Sequence, residues 1–202
     1  MKHKKSLVLG MVILLALGLV APGLSTAQDD ALKIGVLTDH AGALSVYGFE
    51  QTQGFELGLE YATDGSLEVA GRPIELVVRD NAGDIDQAIE DARELIEEEG
   101  VEVLFGSPSS TVTLNLMATA AEYEVVMLAG PAATPAITGE AFNEYTFRAC
   151  RNSFHDAYTA ATFALESFGG NYVQFAPDNA FGTGSAVAFD VALQSVGATP
   201  HA

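Results

Sequence analysis

The chain has 202 residues, 49% of them hydrophobic, and 27 Asp and Glu against nine Lys and Arg, for a net charge of −18. So acidic a balance argues against a nucleic-acid ligand, whose phosphates need cationic partners, and against an anionic membrane surface. One cysteine, Cys150, excludes an internal disulfide, and four scattered histidines (His3, His40, His155, His201) show no metal-ligand spacing.

Lys2, Lys4 and Lys5 precede an uncharged apolar run over residues 7–20, and small residues follow at Ser25 and Ala27. This is the pattern of a cleavable secretory signal over residues 1–27, with a run too short to span a bilayer, for which about 20 apolar residues are needed. No cysteine stands near the cleavage point to carry a lipid anchor. Processing would remove three of the nine basic residues and none of the 27 acidic ones, leaving a net charge of −21. The expected location is periplasmic or extracellular, and the expected mature chain is soluble.

From Ala31 onward, apolar runs alternate with amphipathic stretches. Residues 32–37 read as a buried strand, 38–44 as a Gly-containing loop and 47–62 as a helix. Residues 70–73 read as a turn and 74–78 as a second strand. Asp84 caps a helix over 85–99, whose Ala88, Ala92, Leu95 and Ile96 share one face, and Gly100 stops it. Residues 101–105 form a third strand, 110–122 a third helix, 125–129 a fourth strand and 145–150 a further strand-like stretch. Short connections between these elements imply a parallel sheet covered by helices on both faces, the doubly wound α/β class.

A Pro-, Ala-, Thr- and Gly-rich bridge over residues 130–142 then leads to a second series: a helix over 156–168, a strand over 171–175 and a helix over 182–196. The organisation expected is a first α/β lobe over residues 28–150 and the start of a second over 151–202. One strand with its helices cannot close a core alone, so the chain reads as a piece of a longer protein.

Ligands of open parallel sheets sit beyond the carboxyl ends of the strands. The loops leaving that edge, residues 38–47, 106–111 and 130–134, are rich in Gly, Ala, Ser and Thr and hold no Lys or Arg. No Gly-rich dinucleotide fingerprint or P-loop occurs, so no nucleotide cofactor is expected. The stretch Gly106-Ser107-Pro108-Ser109-Ser110-Thr111 opens a helix whose first turn has unpaired N–H groups and partial positive charge. It suits a carboxylate; equally, Ser109 or Ser110 could serve as a plain N-cap. No nucleophile elbow, H-E-x-x-H or activated Ser or Cys occurs, so no enzymatic activity is expected. Cys150 reads as an inert thiol, and Asp80, Asp84 and Asp86 as loop and cap residues rather than metal ligands.

The segments Lys33-Ile34-Gly35-Val36-Leu37-Thr38, Tyr47-Gly48, Gly71-Arg72-Pro73-Ile74-Glu75-Leu76-Val77-Val78-Arg79-Asp80-Asn81, Gly106-Ser107-Pro108-Ser109-Ser110, Pro131-Ala132-Ala133-Thr134, Thr146-Phe147-Arg148 and Asp178-Asn179-Ala180-Phe181-Gly182-Thr183-Gly184 form an ordered series. In this series the chain resembles the type I periplasmic binding proteins of branched-chain amino-acid ABC transporters, the leucine/isoleucine/valine-binding family. The resemblance implies a two-lobed α/β protein, first lobe nearly complete and second partial, that binds a small amino acid or a similar solute. Ser110, with Ser109 beside it, would hold the α-carboxylate and Thr134 would add a hydroxyl. The Ala132 carbonyl would accept from the α-ammonium, and Tyr47 would line the cleft. Tyr47 packed on the sheet, and Ala132 and Thr134 merely shaping a loop, are the plainer alternatives. Phe181 stands where relatives commonly have Tyr. Also implied are a membrane permease as partner and a monomeric state; a receptor ectodomain with the same lobes is the alternative, and an exported hydrolase or amidase a third.

Overall fold

The computed structural model describes residues 31–200; the signal expected over residues 1–27 lies outside the described residues. The first strand, β1 (Leu32–Thr38), leads to α1 (Ser45–Ala62), the short β2 (Glu68–Val69) and the long β3 (Arg72–Asp80). Then follow α2 (Ile85–Glu97), β4 (Val103–Gly106), α3 (Ser110–Glu122), β5 (Val126–Ala129), a 3-10 turn (Pro135–Thr138) and β6 (Thr146–Arg148). The six strands form one sheet in the order β2-β3-β1-β4-β5-β6. All neighbours are parallel except β2 and β3.

Side-chain alternation along the strands decides the two faces. Leu37, Leu104 and Met127 point to one face and pack with Leu95 of α2 and Leu116 of α3, all fully buried. Ile34, Val36 and Phe105 point to the other, where Phe55 of α1 stacks on Phe105 with ring centroids 4.0 Å apart. Helices therefore cover both faces, and the architecture is the doubly wound parallel sheet that the strand–helix rhythm implies. Each fully buried leucine contributes roughly 1.5–3 kcal/mol to that packing.

The strand order has a functional consequence. From β1 the chain passes to β3 on one side and then crosses back to β4 on the other, so β1 and β4 are the neighbours between which the winding reverses. Loops leaving these two strands diverge and open a crevice at the carboxyl edge, where such folds bind ligands.

Beyond β6 stand α4 (Ser153–Phe168), β7 (Asn171–Tyr172), α5 (Ala180–Ser195) and β8 (Thr199–Pro200), with β7 and β8 paired in parallel as a separate two-stranded sheet. Helices α4 and α5 meet along a seam of fully buried alanines, Ala157, Ala161, Ala188 and Ala192. Small side chains at helical spacing let the two backbones approach closely.

Several boundaries differ from the sequence expectation. Arg72 and Pro73, expected in a turn, lie in β3 because Val69 and Glu68 pair with them antiparallel. Of the strand expected over residues 171–175, Asn171 and Tyr172 pair, opposite Thr199 and Pro200, the last of the described residues. Val173 and Phe175 are exposed. Helix α4 starts three residues earlier than expected because the Asn152 side chain accepts from the Phe154 and His155 N–H groups, while His155 Nδ1 accepts from the Asn152 N–H at 3.0 Å. His155 fills the place that Glu or Gln takes in the usual capping box, so the signal was hidden.

Candidate functional site

The turn from β4 into α3 is built from hydroxyls. Ser109 is the N-cap, its Oγ accepting from the Val112 N–H at 3.4 Å. Buried Thr113, one turn on, accepts the Ser107 N–H and donates to the Ser107 carbonyl, both at 3.1 Å, which ties the loop to its own helix. Ser109 thus performs the cap, and Ser110 does not. Ser110 is 4% exposed, and its Oγ accepts from the Thr134 N–H at 3.2 Å. That bond uses a lone pair and leaves the hydroxyl proton free to donate. Among the described residues, the Ser110 and Thr111 N–H groups also lack an acceptor, as the first turn of a helix requires.

Two further helix starts converge here. The N-cap of α5, Asn179, accepts from the Gly182 N–H at 2.9 Å, and the Ala180 N–H donates to Thr111 Oγ1 at 3.3 Å, joining the mouths of α3 and α5. At α1, Thr38 Oγ1 donates to the Gly48 carbonyl and Gln51 Nε2 to the Leu37 carbonyl, both at 3.1 Å, which holds the first turn against the end of β1. Tyr47, on that turn, is 55% exposed and faces the crevice. A cavity of about 170 Å³ lies among these elements, lined by Tyr47, Ser109, Ser110, Thr111, Asn179 and Phe181, with Leu44, Pro108, Pro131 and Ala133 as apolar walls and Arg151 at its side. The carboxyl ends of β1 and β4, where the winding reverses, supply two of its walls. A wider groove of about 570 Å³ beside α1 is lined by Glu56, Glu60 and leucines and has no helix mouth.

The expected site residues therefore divide. Ser109, Ser110 and Tyr47 line the cavity together. Thr134 touches Ser110 through its backbone, while its Oγ1 packs toward α5, where a Cβ on Gly184 would stand only 2.7 Å away. Ala132 is 1% exposed in the core, and its carbonyl already accepts from Arg148 Nη1 at 2.7 Å. Arg148 Nη2 donates to the Thr134 carbonyl at 2.6 Å. Arg148 is thus the clamp that shapes the loop presenting the Thr134 N–H to Ser110, and no local pattern announced that role. Phe181 places an aromatic ring, without a hydroxyl, on the cavity wall. Cys150 is half-buried with Sγ 3.5 Å from the Ala132 carbonyl oxygen.

Just behind the site, Asp39 is 1% exposed, and burial raises its carboxyl pKa; Asp80 adds to the rise and the Gly83 N–H opposes it. An acid with a raised folded pKa holds its proton longer in the native state. Its contribution is complete below the unfolded value of about 3.9 and is lost as pH climbs through the folded value. Asp39→Asn, which cannot ionise, should therefore gain stability relative to wild type between pH 3.5 and pH 7 in denaturant titrations. An equal difference at both pH values contradicts the assignment.

A parallel α/β fold thus carries a hydroxyl-lined helix mouth where its winding reverses. Residues 31–201 match the model of the periplasmic binding protein family, and the chain belongs to that family. It is 37% identical over 99 residues to the Leu/Ile/Val-binding protein homolog 7 of Brucella abortus, across 49% of this chain and 24% of that one. Among solved structures it resembles an ABC-type branched-chain amino acid transporter protein of Rhodopseudomonas palustris (TM-score 0.70, 33% identity, 84% of this chain and 45% of the other). It also resembles a solute-binding protein of an R. palustris ABC transporter solved with 4-hydroxybenzoate (TM-score 0.75, 25% identity, 85% and 45%). The chain spans less than half of each of these solved relatives and about a quarter of the Brucella relative.

Proposed function

We propose that this chain is the solute-capturing part of an exported binding protein that serves an ABC importer. Residues 28–150 form most of one lobe, residues 151–202 begin the second, and the crevice at the mouths of α3 and α5 is the ligand cleft. The observation that carries this reading is Ser110: 96% buried, on the cavity wall, oriented by the Thr134 N–H, and left with a free hydroxyl proton beside two unpaired N–H groups. Those donors, with a helix dipole equivalent to roughly half a positive charge, hold the carboxylate of a small amino acid or an aromatic acid. Tyr47 and Phe181 flank its body.

No bond is made or broken. Ligand contacts made to both lobes favour a closed form, because a ligand shifts an equilibrium only by its differential affinity for the two states, and a membrane permease receives that form. The protein works in the periplasm or outside the cell after removal of residues 1–27, as a monomer. The test is calorimetric titration of the full-length protein with amino acids and benzoates: saturable binding with the solute recovered unchanged is the expected result. Conversion of a small amide or ester, abolished by Ser110→Ala, would replace binding with catalysis.

A further inference from the structure

The start of α5 is held against α3 and the 131–135 loop by contacts in which no ligand takes part. At its first residue, the Ala180 N–H donates to Thr111 Oγ1 at 3.3 Å. One turn on and on the same side of the helix, Gly184 meets the loop. A Cβ built there would lie 2.7 Å from Thr134 Oγ1 and 2.8 Å from Pro135 Cδ, where ordinary contact begins at 3.4 Å. Beside it, Ser185 Oγ stands 2.8 Å from Ser153 Oγ, and the Ser153 N–H reaches the Ala133 carbonyl at 2.9 Å.

The partners in these contacts carry opposite walls of the cavity. Ser109, Ser110 and Thr111 on α3, with Pro131 and Ala133 on the loop, form one side; Asn179 and Phe181, at the start of α5, form the other. The depth to which α5 settles on the loop therefore fixes the distance across the cavity. The hydrogen bonds of the seam tolerate a few tenths of an ångström, since such bonds span a range of lengths. Gly184 against the Pro135 ring is instead a steric stop. The Thr134 hydroxyl can turn aside, but a proline ring cannot, so a side chain at 184 drives the helix away from the loop. Gly184 is not among the residues that line the cavity.

Resting on the solute-binding reading, we infer that Gly184 is a positioning residue that sets the width of the cavity, and with it the size of solute that both walls reach at once. A wider gap leaves a small solute against one wall only, while a longer one still spans it. The size limit of the site thus resides in a residue that the solute does not touch.

The test has two readouts on the full-length protein. In a background freed of native cysteines, nitroxide labels are placed through Ala118→Cys on α3 and Val187→Cys on α5, both at exposed positions. Without solute, the distance between them by pulsed electron paramagnetic resonance should grow stepwise from wild type to Gly184→Ala to Gly184→Val. It should stay at the wild-type value in Thr183→Leu, which adds bulk at the neighbouring exposed position. Calorimetric titrations with alanine, valine, leucine and phenylalanine, and with acetate and benzoate, give the second readout. Gly184→Ala should shift preference toward the larger members, by roughly fivefold in the ratio of Kd values of smallest to largest. Labels that do not separate in Gly184→Val overturn the inference whether or not a solute binds. An equal loss for every solute overturns it too, because plain destabilisation produces that pattern. Labels that separate as expected, in a protein whose wild type binds none of these solutes, overturn the solute-binding reading and the size selection with it.

Discussion

Gly106→Ala should lower the thermal midpoint by about 9 °C and weaken ligand binding with it. Gly106 ends β4 opposite Leu37 of β1 and holds φ at +145°, a region that a Cβ disfavours. A Cβ built there would lie 2.1 Å from the Leu37 carbonyl oxygen, a main-chain atom that cannot swing aside. Backbone strain of about 1–3 kcal/mol adds to an overpacking cost of about 1–3 kcal/mol, so roughly 3 kcal/mol is expected, at about 2–4 °C each for a domain of this size. The two strands that would part are those between which the winding reverses, and the loop that would shift presents Ser109 and Ser110. A variant with the wild-type midpoint in calorimetry would show that the sheet yields at this point and that the close approach is incidental.

Ser110→Ala should weaken the ligand by about 2 kcal/mol, roughly thirtyfold in Kd, and should cost the fold about 1 kcal/mol by leaving the buried Thr134 N–H without its acceptor. Two facts separate these effects. Ser109, not Ser110, caps α3, so the helix keeps its start. The bond lost within the protein is one acceptor for the Thr134 N–H at 3.2 Å. What the ligand loses is the oriented hydroxyl proton in a site where a carboxylate has little water to replace it. Unchanged calorimetric affinity would reduce Ser110 to a packing residue. A fall in stability as large as the fall in affinity would assign its role to the Thr134 loop.

Local signals carried much of the fold. Helix α3 begins at Ser110 and ends at Glu122 as expected, and Asp84 caps α2 through the Gln87 N–H at 2.9 Å, because caps and apolar periodicity act within a few residues. The carboxyl-edge loops were equally legible as loops, since strand–helix alternation dictates a parallel sheet, and residues of all three line one cavity. What escaped were contacts that no local pattern marks, most of them between segments far apart in sequence. Thr113 stitches the Ser107 turn, Arg148 fastens the 131–134 loop across 14 and 16 residues, and Thr111 receives Ala180 across 69. Arg148 stood in the segment Thr146-Phe147-Arg148 that carries the family resemblance, yet nothing beside it in sequence identifies its carbonyl partners. Ala132 illustrates the same limit. As a residue its carbonyl is a fair acceptor for a cation, and only the folded loop shows it already engaged.

The most direct test is a crystal structure of the full-length protein with its solute bound. A carboxylate oxygen within about 3 Å of Ser110 Oγ, with the N–H groups of Ser110 and Thr111 pointing at the same group, is the predicted result. A solute seated elsewhere, or one turned so that its carboxylate avoids the start of α3, would contradict the account.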